Sequence, residues 1–358
     1  MNILLFARAY EDMAGGIEKM SLMLAKILSE RGHIVTIASL DRKEAKSFYP
    51  WPDGVRWHQI DIANPHEKAT LRNRLNRLLT LRKVLSSLEC DVAVGFQVGS
   101  FALLKLASLG LGIKTVAAER NAPTLFNFIR SGKRKRFFSN LILATSDVVA
   151  VQFEGYKRYY PRYLRKKLSI TPNLVQQPKE SRKLDQGHNE PLRLLCIGRL
   201  TFQKNMQLLL SSLSLINIPV HLKIVGDGPD LAKLKEMIES QDLNVEILPP
   251  VNDLSSYYLN ADYYISTSRW EGFPNVIAES LSYGLPVIAF EQCAGMPQLI
   301  HEGVNGTLAL GAMTAQNLAH SILRAKELHL DPKIIAESVS EYTDENFVRR
   351  WEEALKID

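Results

Sequence analysis

Short apolar runs alternate with longer amphipathic stretches along most of the chain. Near the N-terminus, the apolar runs Asn2–Ala7 and His33–Ser39 flank Ile17–Arg31, where apolar residues recur every three or four positions. The short runs are typical of strands, and the periodic stretch is typical of a helix. A strand, a helix and a second strand in this order predict a parallel β-α-β unit.

The same alternation continues to residue 173 and predicts one doubly wound domain over residues 1–173. Its further strands are predicted at Asp91–Gly95, Lys114–Ala118, Asp147–Val151 and Leu168–Ile170, and its further helices at Lys68–Leu88, Ser100–Leu109, Arg130–Leu143 and Glu154–Lys167.

Residues 174–191 are mostly polar, lack periodicity and contain two prolines, which predicts a linker. The alternation then resumes and predicts a second doubly wound domain over 192–340. A last helix within 341–358 contains Asn346–Leu355. The second domain's strands are predicted at Leu192–Gly198, His221–Gly226, Val245–Leu248, Ala261–Ser266 and Val287–Ala289, and its helices at Met206–Leu215, Asp230–Gln241, Ser255–Asn260, after Pro274, at Asn317–Leu328 and at Asp331–Ser340.

The predicted fold class is therefore α/β, with two Rossmann-like domains. Ligands of such sheets bind at the carboxyl ends of the strands, so we expect the site in the crevice between the two domains.

The bulk composition adds few constraints. The net charge is +6, and the three cysteines follow no disulfide or metal-ligand spacing, which fits a reducing cytosol. The N-terminus has no basic region before its apolar run, unlike a signal peptide. No stretch reaches the ~18 apolar residues of a membrane span. We therefore expect a cytoplasmic protein, which leaves room for peripheral contact with a membrane.

The stretch Thr267–Pro286 contains two glutamates around the start of a predicted helix. Pro274 suits the first helical turn, whose N–H groups favour a negatively charged ligand. Glu271 precedes the helix and could contact a sugar hydroxyl or the charge that develops at a reacting carbon. Glu279 lies among apolar helix residues and could bind a ribose diol. Both could also be ordinary exposed helix carboxylates.

Other strand ends carry cations and glycines. Arg199 and Lys204 follow the first strand of the second domain and suit a diphosphate, although solvated surface cations are common. Gly226 ends the next strand and could leave room for a base or a sugar. Gly16 ends the first loop of the chain, where a glycine pair permits positive φ and close approach to a phosphate, or simply a tight turn.

Three polar residues end a strand of the first domain: Glu119, Arg120 and Asn121. Residues in this position are either loop residues or substrate contacts, and we favour contacts because the strand end should face the same crevice.

These motifs together resemble a known family. The order Gly198-Arg199-Leu200 with Lys204, Gly226-Asp227-Gly228, Ser268–Pro286 and Gly303–Gly306 is similar to that of the retaining glycosyltransferases of family 4. The resemblance implies the GT-B fold, in which two Rossmann-like domains face each other across a cleft and the last helix, with Trp351, crosses back onto the first domain. It also implies a nucleotide-sugar donor, most often linked to UDP, and no metal or other cofactor.

The resemblance assigns roles to the candidate residues. Arg199, Lys204 and Glu271 would be catalytic, the two cations on the diphosphate and the glutamate on the donor sugar. Glu279 would hold the ribose, and Gly16 would approach the donor phosphate or the acceptor. Arg120 stands where the family usually has a histidine that contacts the donor sugar. Backbone groups of Gly226, Phe273, Pro274 and Asn275 would complete the donor site.

A basic and aromatic segment of the first domain allows three interpretations. Its cations could form solvated helix faces, a nucleic-acid site or a patch on an anionic membrane, where each cation contributes ~1 kcal/mol. No nucleic-acid-binding module surrounds them, so we favour the inner face of the cytoplasmic membrane, or the diphosphate of a polyprenyl-linked acceptor. The residues are Arg130, Lys133, Arg134, Lys135 and Arg136.

Three functions therefore compete. The first is transfer of a hexose or N-acetylhexosamine to a glycan or lipid-linked acceptor in bacterial cell-surface polysaccharide synthesis, with retention of configuration. The second is a GT-B-like protein that binds sugar nucleotide or glycan without catalysis, because Arg120 replaces the usual histidine. The third, a nicotinamide dehydrogenase, is disfavoured because the G-x-G-x-x-G fingerprint is absent.

Overall fold

A computed structural model describes residues 1–13, 15–65, 67, 69–182 and 191–356. These residues divide into two compact units. The first unit is Met1–Leu174 together with the C-terminal residues from Glu345, and the second is Val175–Asp344.

The first unit contains a seven-stranded sheet in the order β3-β2-β1-β4-β5-β6-β7, and each pair of neighbouring strands is parallel. Its elements are β1 (Asn2–Phe6), α1 (Gly16–Glu30), β2 (Ile34–Ser39), β3 (Arg56–Gln59), α2 (Leu71–Ser87), β4 (Val92–Phe96), α3 (Gln97–Ser108), β5 (Lys114–Ala118), α4 (Gly132–Ala144), β6 (Val148–Val151), α5 (Arg162–Arg165) and β7 (Leu168–Ile170).

The second unit contains a six-stranded parallel sheet in the order β10-β9-β8-β11-β12-β13. Its elements are β8 (Leu192–Ile197), α6 (Met206–Leu213), β9 (Val220–Val225), α7 (Leu231–Ser240), β10 (Val245–Leu248), α8 (Ser255–Asn260), β11 (Tyr263–Ser266), α9 (Asn275–Ser282), β12 (Val287–Phe290), α10 (Met296–Leu299), β13 (Gly306–Ala309), α11 (Ala315–Lys326) and α12 (Pro332–Glu337), and α13 (Asp344–Leu355) follows. These two sheets confirm the predicted pair of doubly wound domains.

Alternation along β4 separates the two faces of the first sheet. Val92, Val94 and Phe96 belong to the core that also contains residues of α1 and α13. Gly95 points the other way, since a Cβ there would lie 2.7 Å from the Cα of Phe101 in α3. Helices α1 and α13 therefore cover one face, and α3 covers the other. Helix α3 packs against α2 on one side and against α4 on the other.

The boundary between the units falls at the start of the predicted linker. Leu174 belongs to the core of the first unit, whereas the N–H of Val175 donates to the carbonyl of Tyr342 in the second unit, at 2.9 Å. Residues 183–190 of the predicted linker lie outside the described residues. The last helix, α13, packs within the first unit, where Phe347, Trp351 and Leu355 enter its core.

The prediction of one helix over Glu154–Lys167 was wrong. Glu154–Tyr159 forms a 3₁₀ helix, and only Arg162–Arg165 is α-helical. Pro161 is the reason, because its ring disfavours helical geometry at Tyr160, which is extended with φ −98° and ψ 145°.

Three short elements were not predicted. Strand β3 contains one apolar residue, Trp57, among its four, and so lacks the pattern of a buried strand. Helix α10 and strand β13 have four residues each, too few to establish a period.

Candidate functional site

The candidate donor-side residues meet at one edge of the second sheet. Strands β8 and β11 are neighbours, and the chain order of the sheet reverses between them. In such sheets, ligands bind outside the carboxyl ends of the strands at the point of reversal. The segment with Arg199 and Lys204 follows β8, and the segment with Glu271 and Phe273 follows β11. The topology therefore brings these predicted residues to one place.

Lys204 and Glu271 form an ion pair there. Their Nζ and Oε1 atoms are 2.7 Å apart, and the side chains are only 20% and 10% exposed. Burial opposes the charge on Lys204, but the attraction and hydrogen bond of Glu271 outweigh it, so the pKa of Lys204 is raised. Lys204 is therefore charged at neutral pH. The sequence predicted both residues but not their contact with each other.

The two segments are also joined by polar contacts that sequence reasoning missed. The Thr267 hydroxyl donates to the carbonyl of Lys204 at 2.8 Å. The N–H of Arg269 donates to the Gln203 carbonyl at 2.8 Å, and its guanidinium donates to Asn205 Oδ1 at 2.7 Å. These contacts hold the backbone that carries the ion pair. Thr267 and Arg269 lie in the stretch Thr267–Pro286 with the two glutamates, but nothing in the sequence indicates their hydrogen-bond partners.

Two glycines permit this close packing. A Cβ on Gly226 would lie 2.0 Å from the carbonyl oxygen of Gly198. Gly198 itself has a φ of +148°, and a Cβ on it would lie 2.9 Å from Cε of Lys204. Gly226 is therefore required by the packing of the ends of β8 and β9. Its contact with a donor stays a prediction.

Arg199 and the start of α9 lie on the same two segments as the ion pair. The Arg199 side chain is exposed. Phe273 is buried with its ring edge-on to Tyr342, the centroids 5.4 Å apart. Pro274 caps α9, and Asn275, its first residue, donates its N–H to the carbonyl of Phe273 at 2.9 Å. The Phe273 ring is packed inward, and the contact of this segment's backbone groups with a donor stays a prediction.

Glu279 lies in the second turn of α9 and is half-buried. The Tyr258 hydroxyl donates to its Oε2 at 3.3 Å. Burial, followed by the nearby charge of Glu279, raises the pKa of Tyr258 well above its ordinary value, so the phenol stays a donor. Tyr258 lies in the short helix α8, and no sequence signal links it to the site.

In the first unit, Arg120 is directed into the core. Its guanidinium donates to the Thr171 carbonyl at 2.7 Å and to the Thr171 hydroxyl at 2.6 Å, and it lies 5.1 Å from the centre of the Trp351 ring. Burial lowers the pKa of Arg120 to about 10, against the opposing attraction of Glu119. This arrangement joins the end of β7 to α13. We had expected Arg120 to face a substrate, and that role stays a prediction.

Glu119 lines a cavity of the first unit whose wall is partly apolar and partly polar. One of its oxygens accepts the N–H of Asn121 at 3.1 Å. Burial raises the pKa of Glu119 to about 7, although that hydrogen bond and the charge of Arg120 act in the opposite direction. The carboxyl group can therefore both accept and donate hydrogen bonds near neutral pH. Other polar residues around the cavity are Gln97, Arg136, Ser139, Asn140 and Tyr160.

The N-terminus of α1 differs from the expectation. Gly15 is extended, with φ −96°, so it does not use the positive φ that a glycine pair permits. A Cβ there would lie 2.1 Å from Oε2 of Glu18, so a larger residue would displace the Glu18 carboxyl group from its present position. This carboxyl group is buried, and burial raises its pKa. An acidic side chain therefore stands beside Gly16, where a donor phosphate was predicted, and that contact stays a prediction.

The basic segment divides into two parts. Arg130, Lys133, Arg134 and Lys135 are exposed, whereas Arg136 is half-buried and lines the cavity with Glu119. The four exposed cations therefore remain candidates for an anionic surface, and Arg136 is placed to contact a ligand of the cavity.

Within the described ranges, His, Cys, Asp and Glu side chains form no cluster of three or more that could hold a metal ion. None of the helices in the described part of the chain is long and apolar enough to cross a membrane.

Comparisons with known families cover nearly the whole chain. Residues 15–173 match the family described as "Glycosyl transferase 4-like domain", and residues 177–343 match "Glycosyl transferases group 1". Among curated proteins, the amylovoran biosynthesis glycosyltransferase AmsD of Erwinia amylovora is 28% identical over 81% of each chain. An N-acetylgalactosaminyltransferase of Campylobacter jejuni, named for an acceptor on undecaprenol diphosphate, is 25% identical over 82% of this chain and 81% of its own.

Solved structures share the fold. The lipopolysaccharide outer core galactosyltransferase WaaB superposes with a TM-score of 0.81 at 19% identity, over 99% of both chains. HepE of Anabaena, solved with UDP and glucose, gives a TM-score of 0.74 at 16% identity over 99% of both chains. The family matches of both domains and the shared fold lead to one conclusion: the chain is a group 1 glycosyltransferase with the GT-B fold.

Proposed function

We propose that the protein transfers a hexose or N-acetylhexosamine from a UDP-sugar to a glycan or lipid-linked acceptor, with retention of configuration, during assembly of a bacterial cell-surface polysaccharide. The observation that carries the proposal is the placement of Arg199, the Lys204–Glu271 ion pair and Glu279 around the reversal between β8 and β11.

The ion pair supports binding of a diphosphate. A buried carboxylate alone would repel a diphosphate, but Lys204 neutralises Glu271 at 2.7 Å. The exposed guanidinium of Arg199 can then add a bidentate contact to the phosphate oxygens. Together the two cations would stabilise the charge that the leaving nucleotide gains, so we propose that transfer needs no metal or other cofactor.

In this proposal, each of the two glutamates binds a different part of the nucleotide sugar. Glu279 is half-buried, and its carboxylate suits the two hydroxyls of a ribose. Glu271 lies beside Lys204 and suits a sugar hydroxyl or the positive charge that develops at the anomeric carbon. The acceptor oxygen would bond to the anomeric carbon as the bond from that carbon to the diphosphate breaks, and the leaving phosphate would accept the acceptor's proton. This proposed step uses no protein nucleophile.

The donor and acceptor are suggested by relatives. HepE was solved with UDP and glucose, and the Campylobacter relative is named for an acceptor on undecaprenol diphosphate. The AmsD and WaaB names point to polysaccharide and lipopolysaccharide synthesis. In the first unit, the cavity with Glu119, Asn121 and Arg136 offers polar groups for an acceptor sugar or its phosphate.

One observation favours the second candidate, a protein that binds sugar nucleotide without catalysis. Arg120 stands where the family usually has a histidine, and its guanidinium is occupied by Thr171 and Trp351. The release of UDP from a UDP-sugar would separate the two candidates, because a non-catalytic protein binds the donor without cleaving it.

The experiment combines a thermal-shift panel of UDP, GDP, ADP and their sugars with an assay of sugar transfer. The true nucleotide at 100 times its Kd should stabilise the protein by about 2.7 kcal/mol. Glu279→Ala should abolish that shift, while Glu239→Ala, at an exposed glutamate of α7, should leave it unchanged. A panel without any shift, or equal shifts in both variants, would contradict the proposal.

A further inference from the structure

Three neighbouring helices form one face of the first unit. The chain moves through the sheet from β3 to β4, β5 and β6 in one direction, and right-handed crossovers place the intervening α2, α3 and α4 on the same face. Packing of α3 against both α2 and α4 makes this a continuous layer, on the side opposite to α1 and α13. We call it the α2–α4 layer.

Helix α2 exposes a row of leucines. Leu71, Leu75 and Leu79 recur every fourth residue, so they lie on one side of the helix over successive turns. They are 83%, 54% and 49% exposed. The helix also buries Leu81, Val84 and Leu85 against the domain, so its core contacts are made by other residues. A row of exposed leucines is therefore additional to what the fold requires.

Helix α4 shows the same composition. Phe137, Phe138 and Leu141 are 58%, 50% and 45% exposed, and Lys133 and Arg134 are exposed beside them. The guanidinium of Arg134 lies 5.8 Å from the centre of the Phe138 ring. Between α2 and α4, the end of α3 adds Leu106 and the following Leu109, both 55% exposed.

The charge of the layer is of one sign. Helices α2, α3 and α4 contain ten lysines and arginines and no acidic residue, whereas α1 and α13 on the other face contain four basic and six acidic residues. Six of the ten cations are exposed: Arg72, Arg74, Lys83, Lys133, Arg134 and Lys135. The acidic residues Glu89, Asp91 and Asp147 precede strands, at the opposite ends of the strands from Glu119.

We infer that the α2–α4 layer is the surface with which the protein lies on an anionic lipid membrane. Cations attract the lipid headgroups, while leucine and phenylalanine side chains enter the boundary of the acyl chains. A nucleic acid would match the charge but leave the leucine row in water. A second copy of the same layer would bring six exposed cations against six. A membrane suits both the charge and the apolar row.

The inference deepens the lipid-linked part of the proposed function and enlarges the predicted basic patch, because α2 and α3 lie outside it. Its test needs no sugar donor. If vesicle binding fails while the UDP shift persists, the surface assignment fails and the transferase proposal stands.

The experiment is co-sedimentation of the full chain with phosphatidylcholine vesicles, with and without phosphatidylglycerol. We expect binding only to the vesicles with phosphatidylglycerol, weakened by high salt. Leu71→Ser/Leu75→Ser/Leu79→Ser should reduce binding by at least about tenfold, since buried methylenes supply part of the affinity. Lys133→Glu/Arg134→Glu should reduce it by at least about 25-fold, because the variant removes two exposed cations and each contributes roughly fivefold near an anionic surface.

The matched control reverses two exposed cations of the other face, Lys26→Glu/Arg349→Glu, with the same change in net charge. It should bind as the unaltered protein does. The inference is overturned if the control loses as much binding as the α4 variant, if the leucine variant binds normally, or if the unaltered protein does not sediment. A nucleic-acid surface would be identified instead by two results together. Duplex DNA would displace the protein from vesicles, and the leucine variant would bind both DNA and vesicles as well as the unaltered protein does.

Discussion

The first six strands of the first unit have the same order as the six strands of the second unit, but the polar residues at their strand ends make different contacts. In the second unit, the segments after β8 and β11 bring Lys204 and Glu271 into contact at the edge of the sheet. In the first unit, consecutive residues after β5 separate, with Glu119 in a cavity and Arg120 in the core. An apolar strand in the sequence therefore predicts where the polar residue after it lies in the fold, but not the direction in which its side chain points.

The physical reason is the alternation of extended backbone. Successive side chains of a strand point to opposite sides, and this continues for a residue or two beyond its end. Glu119 and Arg120 are adjacent, so one alternation separates their roles. Lys204 and Glu271 lie at the ends of longer segments, which can turn both side chains toward each other.

The largest expected effect is that of breaking the ion pair in the second unit. Lys204→Ala should lower the rate of sugar transfer more than about a thousandfold, because the leaving diphosphate loses a cation. It should also lower the free energy of unfolding by about 3–5 kcal/mol, because it leaves Glu271 buried without this partner. Adding Glu271→Ala should restore part of the stability but none of the activity. Chemical denaturation measures the stability, and single-turnover sugar transfer measures the activity. Equal stability of Lys204→Ala and the unaltered protein would show that the pair is not coupled.

A somewhat smaller effect is expected at Arg120 in the first unit. Arg120→Ala should destabilise the protein by about 3 kcal/mol, because the buried carbonyl and hydroxyl of Thr171 lose charged donors. The KM values of the folded variant should be unchanged if the residue is purely structural. Arg130→Ala, at an exposed arginine, is the control and should cost under about 0.5 kcal/mol. A raised KM without loss of stability would instead make Arg120 a substrate contact.

The third expectation concerns Glu119 and depends on pH. Its pKa of about 7 in the folded protein lies above the ordinary 4.5, so the folded state binds more protons and stability falls as pH rises from 4.5 through 7. Glu119→Gln removes this penalty. The free energy of unfolding of the variant should exceed that of the unaltered protein by up to about 3 kcal/mol at pH 8 and by little at pH 4. Denaturation at both pH values measures it, and a pH-independent difference would contradict the raised pKa.

The sequence predicted the long elements well because their periodicity is set by burial. Helix α1 was expected at Ile17–Arg31 and spans Gly16–Glu30, since its apolar residues face the core. Strand β3 was not predicted because it is an edge strand with one apolar side chain. The break at Pro161 could have been foreseen from proline geometry alone.

The candidate site was predictable in part for the same reason. Arg199, Lys204 and Glu271 follow strands, and strand ends can be located from apolar patterns. Their partners could not be found, because pairing across segments depends on the tertiary fold. Tyr258 donates to Glu279 from a helix 21 residues earlier, and Trp351 meets Arg120 from far along the chain. Neither separation corresponds to a period that a sequence pattern contains.

The position of α13 has a consequence for biosynthesis. Phe347, Trp351 and Leu355 complete the core of the first unit, and Lys114 donates to the Leu355 carbonyl at 2.6 Å. A ribosome makes residues 1–174 before the second unit, yet it supplies α13 only after the second unit has been made. Of the two units, the first is therefore begun earlier but closes its core later. Until α13 has been made, the α1 face of the first unit exposes apolar surface that a chaperone could cover.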